Sequence, residues 1–292
     1  MTIPLIISLM SLIPQTPDTV SLAFVGDILL DRGVKSFVQE HGTDSLFTSE
    51  SDSAFNNADF VIANLECPAT EIGNPVFKKF MFNADPTLLG DLKRHAITHL
   101  NLANNHSLDM GRDGILKTIE NVEKAGMKPF GAGKNMDEAS TPLLLSNFPR
   151  KVFLIASCQL TLESFPYLSD KPSVAQLTIN QICDMTKQLK LENPGCAVIV
   201  CLHWGVEHTS TPTISQRHDA HKIILAGADA IVGNHTHTLQ TIETFKGKPI
   251  FYSLGNFIFD LPNEINRKTA IVIMKIAKDS ISWEVINTRN VM

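Results

Sequence analysis

Several features are missing from these 292 residues. No two of the five cysteines, Cys67, Cys158, Cys183, Cys196 and Cys201, stand at the short spacings of zinc or redox motifs, and their number is odd. A disulfide scaffold and a thiolate metal site are thereby excluded. Cys196 and Cys201 lie in the run Cys-Ala-Val-Ile-Val-Cys-Leu, where a thiol acts as a small hydrophobe. Long runs of one charge are also missing: 25 basic and 30 acidic residues are dispersed to a net charge of −5. That balance excludes a nucleic-acid-binding face and suits a site that concentrates cations.

No apolar run is long enough to cross a bilayer as a helix. The nearest is Ile3 to Pro14, followed by the polar linker Gln15-Thr16-Pro17-Asp18. Neither a preceding Lys or Arg nor a small-x-small cleavage site accompanies it. Residues 1–18 therefore leave two alternatives open: export or attachment at the cell envelope, or a cytoplasmic protein whose first residues pack on the core. Repeats, low-complexity segments and internal linkers are lacking, which predicts a single domain over residues 19–292.

What is present is a hydrophobic fraction of 43% and short β-branched runs alternating with stretches of helical period, the pattern of an α/β domain. Strands are expected over 20–25, 59–63, 97–103, 152–156, 197–202, 229–233 and 249–254. Two more, over 269–276 and 281–287, read as an antiparallel pair turned by Lys278-Asp279-Ser280. Ile115, Leu116, Ile119 and Val122 recur at helical spacing between Arg112 and Gly126, with Gly126 just beyond the C-terminus. Further helices are expected over 85–94, 174–191 and 214–226, the last with Ile214, Ile223, Ile224 and Leu225 as its apolar side.

Six expected strands end in ligand-type side chains: Gly26-Asp27, Asn64-Leu-Glu66, Asn104-Asn105-His106, His203-Trp-Gly-Val-Glu207, Gly233-Asn234-His235-Thr-His237 and Gly255-Asn256. In open α/β sheets ligands bind beyond the carboxyl ends of strands, so these segments are expected to converge. Carboxylate, amide and imidazole donors without thiolates suit Mn²⁺, Zn²⁺ or Fe. His235 and His237, two residues apart, turn their rings the same way and can serve two ions roughly 3.5–4 Å apart. A carboxylate from Asp27 or Glu66 would then bridge them. Taken singly, Asp27 reads as a turn or cap, the Asn104-Asn105 pair as a turn, and His203 as a core histidine. Recurrence after strand after strand favours a shared site. Lys78 and Lys79 read as a solvated loop unless a substrate anion lies nearby.

These segments resemble the CapA-type proteins of capsule or poly-γ-glutamate biosynthesis, which are similar to the calcineurin-like metallophosphoesterases. The likeness runs from about Leu22 to Asp260 and is most specific in Leu102-Ala-Asn-Asn-His-Ser-Leu-Asp-Met-Gly111, His203-Trp-Gly-Val-Glu207, Gly227-Ala-Asp-Ala-Ile-Val-Gly-Asn-His-Thr-His237 and Pro249-Ile-Phe-Tyr-Ser-Leu-Gly-Asn-Phe257. It implies a four-layer α/β/β/α sandwich with a two-metal centre. Asp27 and His237 would bind one metal, Glu66 would bridge, Asn105, His203 and His235 would bind the other, and His106 would be the acid that protonates a leaving oxygen. Glu207 would orient a ligand imidazole or take part in proton transfer. Four positions depart from the pattern: Leu29 replaces a metal-binding histidine, Glu66 an aspartate, Thr236 a proline, and His208 an aromatic residue. The expected function is a metal-dependent, hydrolase-like enzyme of capsule or poly-γ-glutamate metabolism, acting on an anionic polymer. The alternatives are a phosphoesterase or a non-catalytic subunit of a membrane-associated synthesis complex.

Overall fold

A computed structural model describes residues 18–261 and 263–292, so the apolar start falls, but for Asp18, outside the described residues. Within the strands, alternation sorts side chains to opposite faces. In β1 (Thr19–Ile28), Val20, Leu22 and Phe24 join one apolar layer while Ala23 and Val25 join another. In β9 (Ala197–His203), Ala197, Ile199 and Cys201 meet that first layer, and Val198, Val200 and Leu202 turn outward to a third. Strands buried on both faces explain the continuous apolar runs of the sequence.

Two sheets result. The first has the order β15 (Ile281–Arg289), β14 (Lys268–Ala277), β1, β2 (Phe60–Leu65), β3 (His99–Asn101) and β4 (Lys128–Phe130), with β13 (Asn256–Ile258) beside the end of β1. Strands β1 to β4 run parallel; β14 and β15 are antiparallel, with Ala277 N donating to Ser280 O at 2.9 Å across the expected turn. The second sheet has the order β11 (Ile242–Phe245), β12 (Lys248–Phe251), β10 (Ala230–Asn234), β9, β7 (Val152–Cys158) and β6 (Leu143–Ser146). Its four inner strands are parallel. β5 (Ala132–Gly133) and β8 (Ser173–Val174) form a small pair of their own.

Helices α1 (Arg32–His41), α2 (Ser49–Asn56), α3 (Leu88–Arg94) and α4 (Gly111–Lys124) cover the outer face of the first sheet through Val34, Phe55, Leu89, Leu92, Ile115 and Val122. After the single turn α5 (Met136–Ala139), α6 (Ile179–Glu192) and α7 (Ile214–Leu225) cover the second sheet; α8 (Glu264–Arg267) is a turn before β14. The layers are α/β/β/α, as expected.

The expected apolar side of α7 is corrected. Ile223 and Ile224 are buried, but Ile214 is 89% and Leu225 67% exposed, because the inward face is completed by Gln216 and Ala220. Helices α1 and α2 and strands β4, β6 and β11 are additions to the elements expected from the sequence. Helix α2 buries few residues and β11 is nowhere fully buried, so neither carries a strong apolar period, whereas α1 has a short one in Val34, Phe37 and Val38.

Candidate metal centre

The two sheets meet at the carboxyl ends of their parallel strands. There the backbones close together: a Cβ on Gly26 would stand 1.9 Å from Gly255 O, and one on Gly233 1.9 Å from Tyr252 O. Only glycine permits these approaches. The register pairs Asp27 with both Asn64 and Asn256, and Asn234 with His203. Asp27, Glu66, His203, His235 and His237 are thereby brought into one buried cluster.

The donors form two groups that share one residue. Glu66, His203 and His235 offer ligand atoms within 4.8 Å of one another, and so do Asp27, Glu66 and His237. Glu66 Oε1 lies 3.6 Å from His203 Nε2 and 3.8 Å from His237 Nε2. Asn105 joins the first group, its Oδ1 2.8 Å from His203 Nε2. Glu66 is wholly buried, yet neither carboxyl oxygen has a hydrogen-bond partner among the described residues, and His235 Nδ1 has none either. Buried polar atoms left without partners are costly unless something else satisfies them.

Amides orient this set. Asn64 Nδ2 donates to Asp27 Oδ1 at 2.8 Å, and Asn104 Nδ2 donates to Asn64 Oδ1 at 3.2 Å. His237 Nδ1 donates to Asn256 Oδ1 at 2.9 Å, which leaves the lone pair on Nε2, the nitrogen facing Glu66. His235 and His237 hold positive φ values of 96° and 56°, backbone strain of the kind that collects at functional sites.

Burial acts on every charge here. It pushes the Asp27 carboxyl up to about 7, against the hydrogen bonds from Asn64 and His235. Glu66 rises well above the carboxylate range through burial and the neighbouring Asp27 charge. Burial brings His235 down to about 4 and His237 to about 3, and holds His203 well below the usual imidazole range. The imidazoles are thus held in the neutral form that a cation binds, and the carboxyls lack the positive charge that would stabilise them ionised. This donor set fits a divalent metal.

His106 stands apart from the five. Its Nδ1 meets Asp109 Oδ2 at 2.8 Å and its ring lies 4.2 Å from that of Phe82. Asp109 also accepts from Phe82 N and pairs with Lys78 Nζ at 2.6 Å. Lys78, expected in a solvated loop, has a side chain only 5% exposed and donates to Asn105 O at 3.1 Å. Glu207 is half-exposed beside His208, whereas the ring nitrogens of His203 face Asn105 and Asn64, so no bond joins Glu207 to His203. Leu29 is fully buried in the apolar layer under the first sheet. Asn64 and Asn256, which stand out in the sequence only as strand-end polar residues, act as orienting amides, and the Asp109–Lys78 pair is a contact that the sequence does not reveal. Their one signal is position: two residues before Glu66, at a strand end, and three residues after His106.

A sandwich of this kind with acid, amide and imidazole donors at its strand ends is a metallophosphatase-like fold. Among solved structures, the NAD nucleotidase of Haemophilus influenzae matches with a TM-score of 0.58 at 13% identity, over 92% of this chain and 49% of that one. The 5'-nucleotidase precursor of Thermus thermophilus matches at 0.51 and 13%, over 93% and 55%. At such identities the fold alone is shared. The sequence places the chain more narrowly: residues 21–261 match the model of the bacterial capsule synthesis protein family PGA_cap, and the chain belongs to that family. It is similar to the PGA biosynthesis protein CapA of Bacillus subtilis, 31% identical over 90% of this chain and 69% of the relative. The capsule biosynthesis protein CapA of Bacillus anthracis is 33% identical over 83% of this chain, which spans 60% of that relative's length.

Proposed function

We propose that this chain is a metal-dependent hydrolase-like enzyme of capsule or poly-γ-glutamate metabolism that acts on an anionic polymer, with two divalent ions, Mn²⁺, Zn²⁺ or Fe, as its cofactors. The observation that carries this reading is the wholly buried Glu66 carboxyl, shared by two donor groups and without a protein partner. Asp27, Glu66 and His237 would hold one ion; Glu66, Asn105, His203 and His235 would hold the other. Such a pair supplies Lewis acidity toward a substrate oxygen and an activated water.

The chain's own residues do the rest. Asn64 and Asn256 fix the faces that Asp27 and His237 present. The bond from Nδ1 to Asp109 leaves His106 Nε2 as the nitrogen from which the imidazolium would give a proton to the departing atom, while Lys78 holds Asp109 in place. Glu207, half-exposed and not bonded to the ligand imidazoles, would meet substrate.

The test is a panel of phosphoesters and γ-glutamyl peptides with and without Mn²⁺. Metal-dependent cleavage of a γ-glutamyl bond, lost in His235→Ala and His106→Ala with the fold intact, is expected. Cleavage of phosphoesters alone would move the substrate to that class, as the nucleotidase-like fold favours. A second reading, an accessory subunit of a membrane-associated synthesis complex, is supported by a 26% identical relative in Mycobacterium tuberculosis described as a probable polyglutamine synthesis accessory protein. Metal binding without turnover of any substrate, together with co-purification with a membrane synthase, would favour it.

A further inference from the structure

At position 208 the chain carries an imidazole where the family resemblance implies an aromatic residue. The backbone there is strained, with φ 59°, and is tied down by the donation of His208 N to Thr236 O at 2.8 Å. The ring centroid stands 6.0 Å from that of His237, and the side chain is 47% exposed. With an imidazole missing at Leu29 and another gained beside His237, a relocated metal ligand is the obvious assignment. The hydrogen bonds argue otherwise.

Asn266, fully buried, has its amide nitrogen 2.8 Å from His237 O and 3.0 Å from His208 Nδ1. A carbonyl only accepts, so the nitrogen of the amide must face this way, and its second hydrogen points to His208 Nδ1. Nδ1 therefore carries the lone pair, and the proton of the neutral ring sits on Nε2. A protonated nitrogen cannot ligate a metal. Glu207 Oε2, at 3.9 Å, is too far to accept from it, and among the described residues Nε2 has no acceptor.

We infer that His208 Nε2–H is a substrate-facing hydrogen-bond donor at the rim of the centre, set in that tautomer by Asn266, and that it takes a carboxylate or phosphoryl oxygen of the bound substrate. It is a binding and specificity residue. The inference rests on the reading of the centre as a substrate site, but its tests do not need turnover.

Nitrogen-edited imidazole NMR of the protein, metal-free and loaded with Mg²⁺, reads the tautomer directly. The expected result is a protonated Nε2 and an unprotonated Nδ1 in both; a protonated Nδ1 overturns the inference. His208→Phe, which keeps a ring and removes the donor, should leave manganese content unchanged, whereas a lower content would make His208 a ligand. Inorganic phosphate serves as the anion probe. Its affinity for the Mn²⁺-loaded protein should fall on the order of tenfold in His208→Phe and be restored in His208→Gln, which keeps a donor. Phosphate affinity equal in wild type and His208→Phe, or absent in wild type, contradicts the proposal. Failure to cleave any polymer or phosphoester would remove the hydrolase reading and leave these outcomes standing.

Discussion

The layer between the two sheets and the edge where their strands end are equally hidden from solvent, yet they are built on opposite terms. Phe24, Ile199 and Val232 fill the interior, no more than 2% exposed, with side chains that ask only for neighbours. At or just beyond the ends of β1, β2, β9 and β10, Asp27, Glu66, His203 and His235 are buried too, and some of their polar atoms meet nothing among the described residues. Well-made folds leave few such atoms, so the contrast separates residues that hold the fold from residues the fold holds for something else.

Cutting the interior should cost the most. Phe24→Ala is expected to lower stability by about 3–5 kcal/mol, measured by urea unfolding, with metal content per folded chain unchanged. A loss of less than about 1 kcal/mol would mean that the interior collapses around the gap and the comparison is too sharp.

At the edge, a satisfied pair should behave like the interior. Lys78→Met leaves Asp109 buried without its cation and is expected to cost about 3 kcal/mol. Equal stability of the variant would show that Asp109 is held by Phe82 N and His106 alone.

A buried titratable group away from the centre separates burial from function. Burial, with Lys93 and Lys128 nearby, brings the His99 imidazole down to about 4 in the fold, against about 6.5 in an unfolded chain. The unfolded state then binds more protons between those values. The stability His99 confers is complete above about pH 6.5 and is lost as pH falls toward 4. His99→Gln should flatten the fall of unfolding free energy over that window by on the order of 2 kcal/mol relative to wild type. Parallel profiles would remove His99 as a contributor.

The smallest change in stability is expected at Glu66, with the opposite sign. Glu66→Leu removes a buried carboxyl that has no protein partner and should raise the unfolding free energy of the metal-free protein by about 1 kcal/mol. A drop comparable to that of Phe24→Ala would make Glu66 a structural residue.

Much of this contrast is legible in the order of residues alone. Strands such as 197–202 announce themselves through β-branched runs, and the polar residues at their ends stand out because hydrophobic strands do not ordinarily close on histidine and carboxylate. Asp27, Glu66, Asn105, His203, His235 and His237 come together where strand-end convergence puts them. Other parts are hidden for physical reasons. Helix α1 is only ten residues long, so the spacing of Val34, Phe37 and Val38 is a short signal to read. Lys78 looks like any loop lysine, because its partner Asp109 lies 31 positions on and comes close only through the fold. The amides Asn64, Asn256 and Asn266 act through hydrogen bonds across strands and loops, and a single sequence carries no mark of those pairings. Glu207, conspicuous for its nearness to His203 in sequence, turns to the rim, since the chain leaves the sheet at Trp204.

The central claim is that Glu66 is held for metal and joins two sites. Titration of the metal-free protein with Mn²⁺, followed calorimetrically in wild type and Glu66→Leu at equal folded fraction, tests it most directly. Two ions per chain in wild type, and loss of binding at both positions in the variant, are predicted. Undiminished binding in Glu66→Leu, or no binding to the wild-type protein, would contradict the account.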